Sequence, residues 1–277
     1  MTSASRAAQT VKAQGSDVAR SRAFEIFARS GFISRGLIYG IVGLLALKLA
    51  LGEGDGKATS QQGALQTIAH QPFGKALLTA TAVGLAGYSI WRLVRAALGH
   101  GIEVHDSAFD RVAGAASGLV YAALCAAAIS ILLGPEKKGS EGAQETTAGV
   151  LGWPAGTWIV GAAGLGFIGV AIYQGHKGIT KSFLDDSKTE QMSASAKRAI
   201  TVLGVVGHLS RMVVFGLVGF FLVRAAIDYK PSEAVGLDGV LRRLEENSYG
   251  PVLLGIVAAG LIAFALYSLS DARYRRI

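Results

Sequence analysis

Charge is scarce in this chain. Asp, Glu, Lys and Arg make up 17% of its 277 residues while 51% are hydrophobic, against about a quarter charged in an average soluble protein. A water-facing surface cannot be assembled from that composition, and a mean hydropathy of +0.42 directs the fold toward an integral membrane protein. The single cysteine, Cys125, excludes a disulfide within the chain. Prolines number five, at positions 72, 135, 154, 231 and 251, all between the apolar runs, where they cannot break a helix inside one.

Catalytic and metal-binding patterns are missing as well. No GxSxG elbow occurs, and no Ser, His and carboxylate set can be assembled. The five histidines lack metal spacing: His100 and His105 stand five apart on a glycine-bearing stretch with only Glu103 and Asp106 nearby. An enzyme, a metal and a cofactor are therefore not expected. Neither is a nucleic-acid partner, because Lys177, Lys181 and Lys188 are interrupted by Asp185, Asp186 and Glu190 without interleaved aromatics.

What is present is six long apolar runs: Gly31 to Leu51, Ala76 to Leu98, Val112 to Leu133, Trp158 to Tyr173, Ala199 to Ile227 and Val252 to Leu269. Most reach about 20 residues, enough at helical rise to cross a hydrocarbon core of about 30 Å. None contains Asp or Glu, which weighs against a proton- or cation-coupled carrier and leaves an anion path open. The segment before Phe24 is polar and reads as a disordered tail.

An even number of spans puts both termini on one side. Eighteen of the 27 Lys and Arg fall on that side and nine on the other, so the positive-inside rule places both termini in the cytoplasm of a cell whose inner membrane the chain spans. The acids divide nine to ten, so the net charge of +8 resolves into +9 on the terminal side and −1 on the far side.

Shifting the chain by 82 and then by a further 94 residues superposes it on itself. Arg35 falls on Ser117 and Arg211, Tyr39 on Tyr121 and Phe215, Gly43 on Cys125 and Gly219. In the second helix Gly84 meets Gly166 and Gly260, Gly87 meets Gly169 and Ala263, and Trp91 meets Tyr173 and Tyr267. Between them Gly63-Ala64-Leu65 returns as Gly149-Val150-Leu151 and Gly239-Val240-Leu241. The unit is a two-span hairpin, present over residues 24–99, 100–177 and 178–277 after a tail at 1–23. Two spans per unit make all three enter the membrane in the same sense, which predicts an all-α, pseudo-threefold bundle and disfavours an inverted-repeat transporter.

The hairpin, with Arg35-Gly36-Leu37-Ile38-Tyr39 opening its first helix and Gln71-Pro72-Phe73-Gly74 before its second, resembles the bacterial domain of unknown function 1206 family, described as three tandem two-helix membrane units. The resemblance covers residues of about 24 to 273. The second copy departs from it, with Ser117 in place of the arginine and Trp153-Pro154-Ala155-Gly156 at the loop. It implies membrane placement and fold and brings no activity.

Two features invite a functional reading. Gly164-Leu165-Gly166-Phe167-Ile168-Gly169 spells the dinucleotide fingerprint, yet it sits mid-span with no strand before it. Gly84, Gly87, Gly166, Gly169, Gly260 and Ala263 are expected instead to be helix-packing positions, where small residues let backbones approach in lipid. Arg35 and Arg211 lie about one turn inside their helices. Snorkelling to the interface accounts for them simply, as it does for Lys48 and Arg224. The alternative is that Arg35 and Arg211, with Ser117 and His208, line an anion site around the pseudo-axis, lipid phosphate being the commonest anion at that depth.

Leu237, Val240, Leu241 and Leu244 are spaced as one face of a short amphipathic helix, partly matched by Ala64, Leu65 and Ile68. Short helices are thus expected to close the far side of the hairpins, with Trp153 and Trp158 in the outer aromatic belt and Trp91 in the inner one. The whole reads as a membrane component engaging anionic headgroups or a membrane partner, including a second copy of itself. An uncoupled anion or small-solute path along the axis is the runner-up, and a lipid-modifying enzyme the third. Single-cysteine variants at Ser16 and Ser140, with Cys125 replaced, test the topology: an impermeant thiol reagent applied to intact cells labels only the latter, and the reverse pattern overturns the orientation.

Overall fold

The computed structural model describes residues 22–53, 59–98, 108–133, 147–230, 233–234, 236–246 and 249–276. Most of the N-terminal tail lies outside these, as do His100, Glu103, His105 and Asp106. Eight helices are named: α1 (Arg22–Ala50), α2 (Gln61–Ala69), α3 (Gly74–Leu98), α4 (Ala108–Leu133), α5 (Gly156–Thr180), α6 (Ala194–Ile227), α7 (Leu237–Glu245) and α8 (Gly250–Tyr274). Six of them, α1, α3, α4, α5, α6 and α8, are long and apolar enough to cross a membrane. The chain is a multi-pass membrane protein.

Each span outruns its apolar stretch at one or both ends, because a helix continues while its polar residues find partners. α5 passes Tyr173 to Thr180, and α8 passes Leu269 to Tyr274. This corrects the expectation of spans without acids: Asp271 falls in α8 and is 2% exposed, tolerable only because Arg35 and Arg275 pair with it. Trp91 is also corrected. It is buried rather than at an interface, edge-on to Phe32 at 5.0 Å with the Arg95 guanidinium over its face. Trp153 and Trp158 are exposed as a belt requires.

The short helices cap the end opposite the termini. Ser60 caps α2 by accepting from the Gly63 amide, and a helical turn over 147–151 and α7 occupy the matching places. Their matched leucines Leu65, Leu151 and Leu241 are all buried. The residues opening the following spans, Gly74, Gly156 and Gly250, pass so close to the carbonyls of Ala69, Val150 and Glu245 that a Cβ would collide with them. Glycine is needed three times for one reason, close passage of a chain across a helix end. Asp238 is buried beside these apolar residues and accepts from the Thr59 amide at 2.5 Å and from Arg242 at 3.2 Å.

The spans pack as a row: α4, α3, α1, α8, α6, α5. Wherever the second helix of one hairpin meets the first of the next, matched residues meet. Gly43 lies on Ala258 and Ile262 of α8, the Cys125 thiol reaches the Ala82 carbonyl at 3.4 Å, and Gly219 lies on Gly164 and Ile168 of α5. Nearer the termini Gly36 takes Leu269, Gly118 takes Leu93, and in the third case the sizes reverse, Gly175 taking Met212. Neighbours run antiparallel at every one of these joints, and one member gives up its side chain so that the backbones close up.

Within hairpins the pattern holds twice and fails once. Gly31 packs under Tyr88 and Gly84 against Ser34; at the matched places Gly207 packs under Phe264 and Gly260 against Ser210. Gly87 touches Phe27, and Ala263 is buried. In the middle hairpin the matching residues are Ala113, Ala116, Gly166 and Val170, and α4 and α5 have no comparable packing. Gly166 and Gly169, expected to pack a neighbour, have open space where a Cβ would stand. α4 and α5 are thus the two ends of the row, and the seam between them is open.

Candidate functional site

Among the described residues, most buried polar side chains lie at the terminal, basic end. Arg35 of α1 is 5% exposed. Its Nε donates to Ser268 Oγ at 2.8 Å, Nη1 to the Tyr88 hydroxyl at 2.6 Å and Nη2 to Asp271 Oδ2 at 2.8 Å. Phe32, Tyr88 and Phe264 surround the guanidinium with ring centroids 4.9 to 5.2 Å from Cζ. Charge, hydrogen bonds and aromatic faces are all supplied from within. Arg35, expected to face an anion, has one of its own in Asp271.

Arg211 is the matched arginine on α6, and its surroundings differ at every polar position. Ser268 is replaced by Gln174, Tyr88 by Phe264 and Asp271 by Lys177. With its amide turned so that oxygen faces the guanidinium, Gln174 accepts from Arg211 Nη2 at 2.9 Å and Nη1 at 3.0 Å. Three rings face Cζ: Phe264 at 4.3 Å, Phe215 at 5.0 Å and Tyr39 at 5.2 Å. Phe264 thus touches both arginines. Arg211 Nε is buried with no hydrogen-bond partner, and among the described residues no carboxylate pairs with it. A guanidinium inside an apolar bundle without a counter-charge is costly, and it is the natural partner of a ligand anion.

The other two expected site residues stand apart. His208 is buried one turn before Arg211, but its ring stacks on Phe183 at 5.0 Å with edge contacts to Phe264 and Tyr267, and Nδ1 lies 2.8 Å from the Gly204 carbonyl. It serves packing. Ser117 is half-buried on α4, the helix beside the open seam.

A folded linker between α5 and α6 covers this end. Lys181 at φ 59° turns the chain out of α5, Phe183 is buried against α6, and Asp186 follows. Asp186 Oδ2 is 2.6 Å from Arg275 and 3.9 Å from Lys177, with Oδ1 3.9 Å from Arg95. Burial pushes its carboxyl up, but Arg275, Lys177, Arg95 and Arg92 outweigh that and hold it below the usual aspartate range. It is a carboxylate at neutral pH. Arg95, Lys177 and Asp271 occupy matching positions of the three hairpins, and Asp186 joins the first two directly and the third through Arg275, which lies 3.8 Å from Asp271. The C-terminal segment adds backbone bonds, Lys188 N to Tyr274 O and Arg276 N to Asp186 O.

A family model, Domain of Unknown Function (DUF1206), matches residues 30–99, 112–181 and 206–275. The chain belongs to the DUF1206 family. Its three matched segments stand at the same offsets of 82 and 94 residues that superpose the contacts above. The chain is also 32% identical over 254 residues to the uncharacterized protein YxxB of Bacillus subtilis (strain 168), covering 91% of each. No solved structure matches it.

In the DUF1206 frame, sequence reading identified Arg35 and Arg211 and missed what separates them. Asp271, Ser268 and Tyr88 give Arg35 its partners, and Gln174 and Phe264 take Arg211. Hydropathy ends the sixth run at Leu269 and discards Asp271. The repeat alignment flags it, since the matched residues are the cations Arg95 and Lys177. Asp271→Asn leaves Arg35 buried without its counter-charge and costs about 3–5 kcal/mol of stability, whereas Asp271→Met combined with Arg35→Met costs far less. Equilibrium unfolding in mixed SDS micelles measures both, and equal losses contradict the pairing.

Proposed function

We propose that this DUF1206 protein is a non-enzymatic component of the bacterial inner membrane that holds an anionic phospholipid of the cytoplasmic leaflet. In this reading the three hairpins enter the membrane in one sense about a pseudo-threefold axis, and both termini are cytoplasmic. Antiparallel packing at every joint and the recurrence of matched contacts support the arrangement, and the charge of +9 on the terminal side supports the orientation.

The observation that carries the functional reading is Arg211, a bundle-facing guanidinium with an unpartnered Nε and no acid where its mate Arg35 has Asp271. Gln174, which holds it, lies six residues before the end of α5, about 9 Å by helical rise, a depth that headgroup phosphate reaches. The bilayer supplies the phosphate, and the whole basic end attracts anionic lipid to it. An axial path for anions or small solutes is less well supported: at the level of the two arginines the interior holds Tyr39, Tyr88, Tyr121 and Phe264.

Native mass spectrometry of the full chain, released from detergent with phosphatidylglycerol or phosphatidylcholine added, tests this. Arg211→Gln removes a charge-assisted contact of about 1.5–3 kcal/mol and lowers phosphatidylglycerol retention by about tenfold or more, leaving phosphatidylcholine unchanged. Undiminished retention of phosphatidylglycerol contradicts the proposal.

A further inference from the structure

We infer that the open seam between α4 and α5 is a lateral slot for the acyl chain of that phospholipid, through which its headgroup reaches Arg211 from the bilayer. The inference rests on the anionic-lipid reading above and adds to it a route and a second binding surface.

Four observations converge on it. Matched helix pairs touch in the first and third hairpins, through Gly84 on Ser34 and Gly260 on Ser210, so the separation of α4 from α5 is a departure from the chain's own rule. The positions that match the touching pairs are Ala113 and Ala116 on α4 and Gly166 and Val170 on α5, three of the four small. Ala116 and Gly166 are exposed, with open space beyond Gly166 and Gly169. Small residues left unfilled between two helices make a crevice, and in a bilayer such a crevice is occupied by lipid. Next, α5 carries both the slot and the residue that holds Arg211: Gln174 lies eight residues, about 12 Å at helical rise, beyond Gly166 toward the basic end, and Arg211 meets rings of α1, α6 and α8 inside the bundle. A phosphate at the guanidinium therefore leaves its chain pointing along the slot toward the membrane centre. Finally, Arg111 of α4, bonded to the Ala96 and Ala97 carbonyls of α3, and Lys177 of α5, over the Tyr173 ring at 5.1 Å and 3.9 Å from Asp186, add positive charge at the basic ends of these helices. Cations at the mouth, a cation at the depth of the phosphate and an apolar trough beyond it match the charge order of a single anionic lipid. A partner transmembrane helix would match only the trough.

Filling the slot tests this separately from the arginine. Gly166→Leu and Ala116→Leu each place a side chain in the seam from opposite walls, with no neighbour to displace at Gly166. The probes are phosphatidylglycerol by native mass spectrometry and inorganic phosphate by the thermal shift it produces in the full chain. Both filled variants are expected to keep the phosphate-induced shift and lose phosphatidylglycerol about tenfold, while Arg211→Gln loses both. Filled variants that retain phosphatidylglycerol like the parent overturn the slot and leave the arginine reading standing. Retention of lipid by Arg211→Gln overturns that reading instead. Should Gly166→Leu convert a dimer to a monomer with lipid retention unchanged, the occupant is a second copy of the chain, and the lipid slot is wrong.

Discussion

In lipid the hydrophobic effect does not press helices together, so they associate only where backbones come close enough for dispersion and short polar contacts to act. Every joint of this protein follows from that constraint. At Gly43, Gly36, Gly118, Gly164 with Gly219, Gly175, Gly31, Gly84, Gly207 and Gly260 one partner has no side chain, and the other lies directly on its backbone. Because the constraint is local, it repeats with the hairpin: Cys125 stands where Gly43 and Gly219 do, and still meets the matched Ala82. Because it acts pair by pair, one pair can be omitted without unmaking the rest. The middle hairpin omits it, and the bundle stays joined through α3 to α4 and α5 to α6.

Charge follows the same logic of near-repetition with one change. A buried arginine is tolerated when an acid and hydrogen-bond acceptors come with it, and α8 brings Asp271 and Ser268 to Arg35. The helix in the equivalent place beside Arg211 is α5, which brings Gln174 and Lys177. One arginine is thereby paired with an acid, and the other, among the described residues, is held by an amide alone. The linker bearing Phe183 and Asp186 covers both from the terminal end, its carboxylate held ionised by the cations around it.

Much of this was legible in the residues and some was not, for identifiable reasons. Six spans, three hairpins, the short capping helices and the pairing of Gly84, Gly166 and Gly260 follow from periodicity and self-similarity, which report a shared backbone. Departures from the shared backbone are invisible to that signal: Gly166 and Gly169 align with packed residues and face open space. Window hydropathy erred in the opposite direction. It ended the last span before Asp271, since an average over a window cannot register that one acid is neutralised by an arginine far along the chain. The histidine expected to face an anion, His208, is instead held by Phe183, a residue of a linker too short and polar to suggest a core anchor.

The bundle is thus asymmetric, with two closed hairpins and one open one. Nitroxide pairs at matched exposed positions read this directly, in membranes, with Cys125 replaced. The pairs are Leu37→Cys with Val83→Cys, Leu119→Cys with Leu165→Cys, and Val213→Cys with Ala259→Cys, all exposed and clear of the joints. Spin–spin distances should agree for the first and third pairs and be longer for the second. Equal distances for all three would show the seam closed and contradict the account at its base.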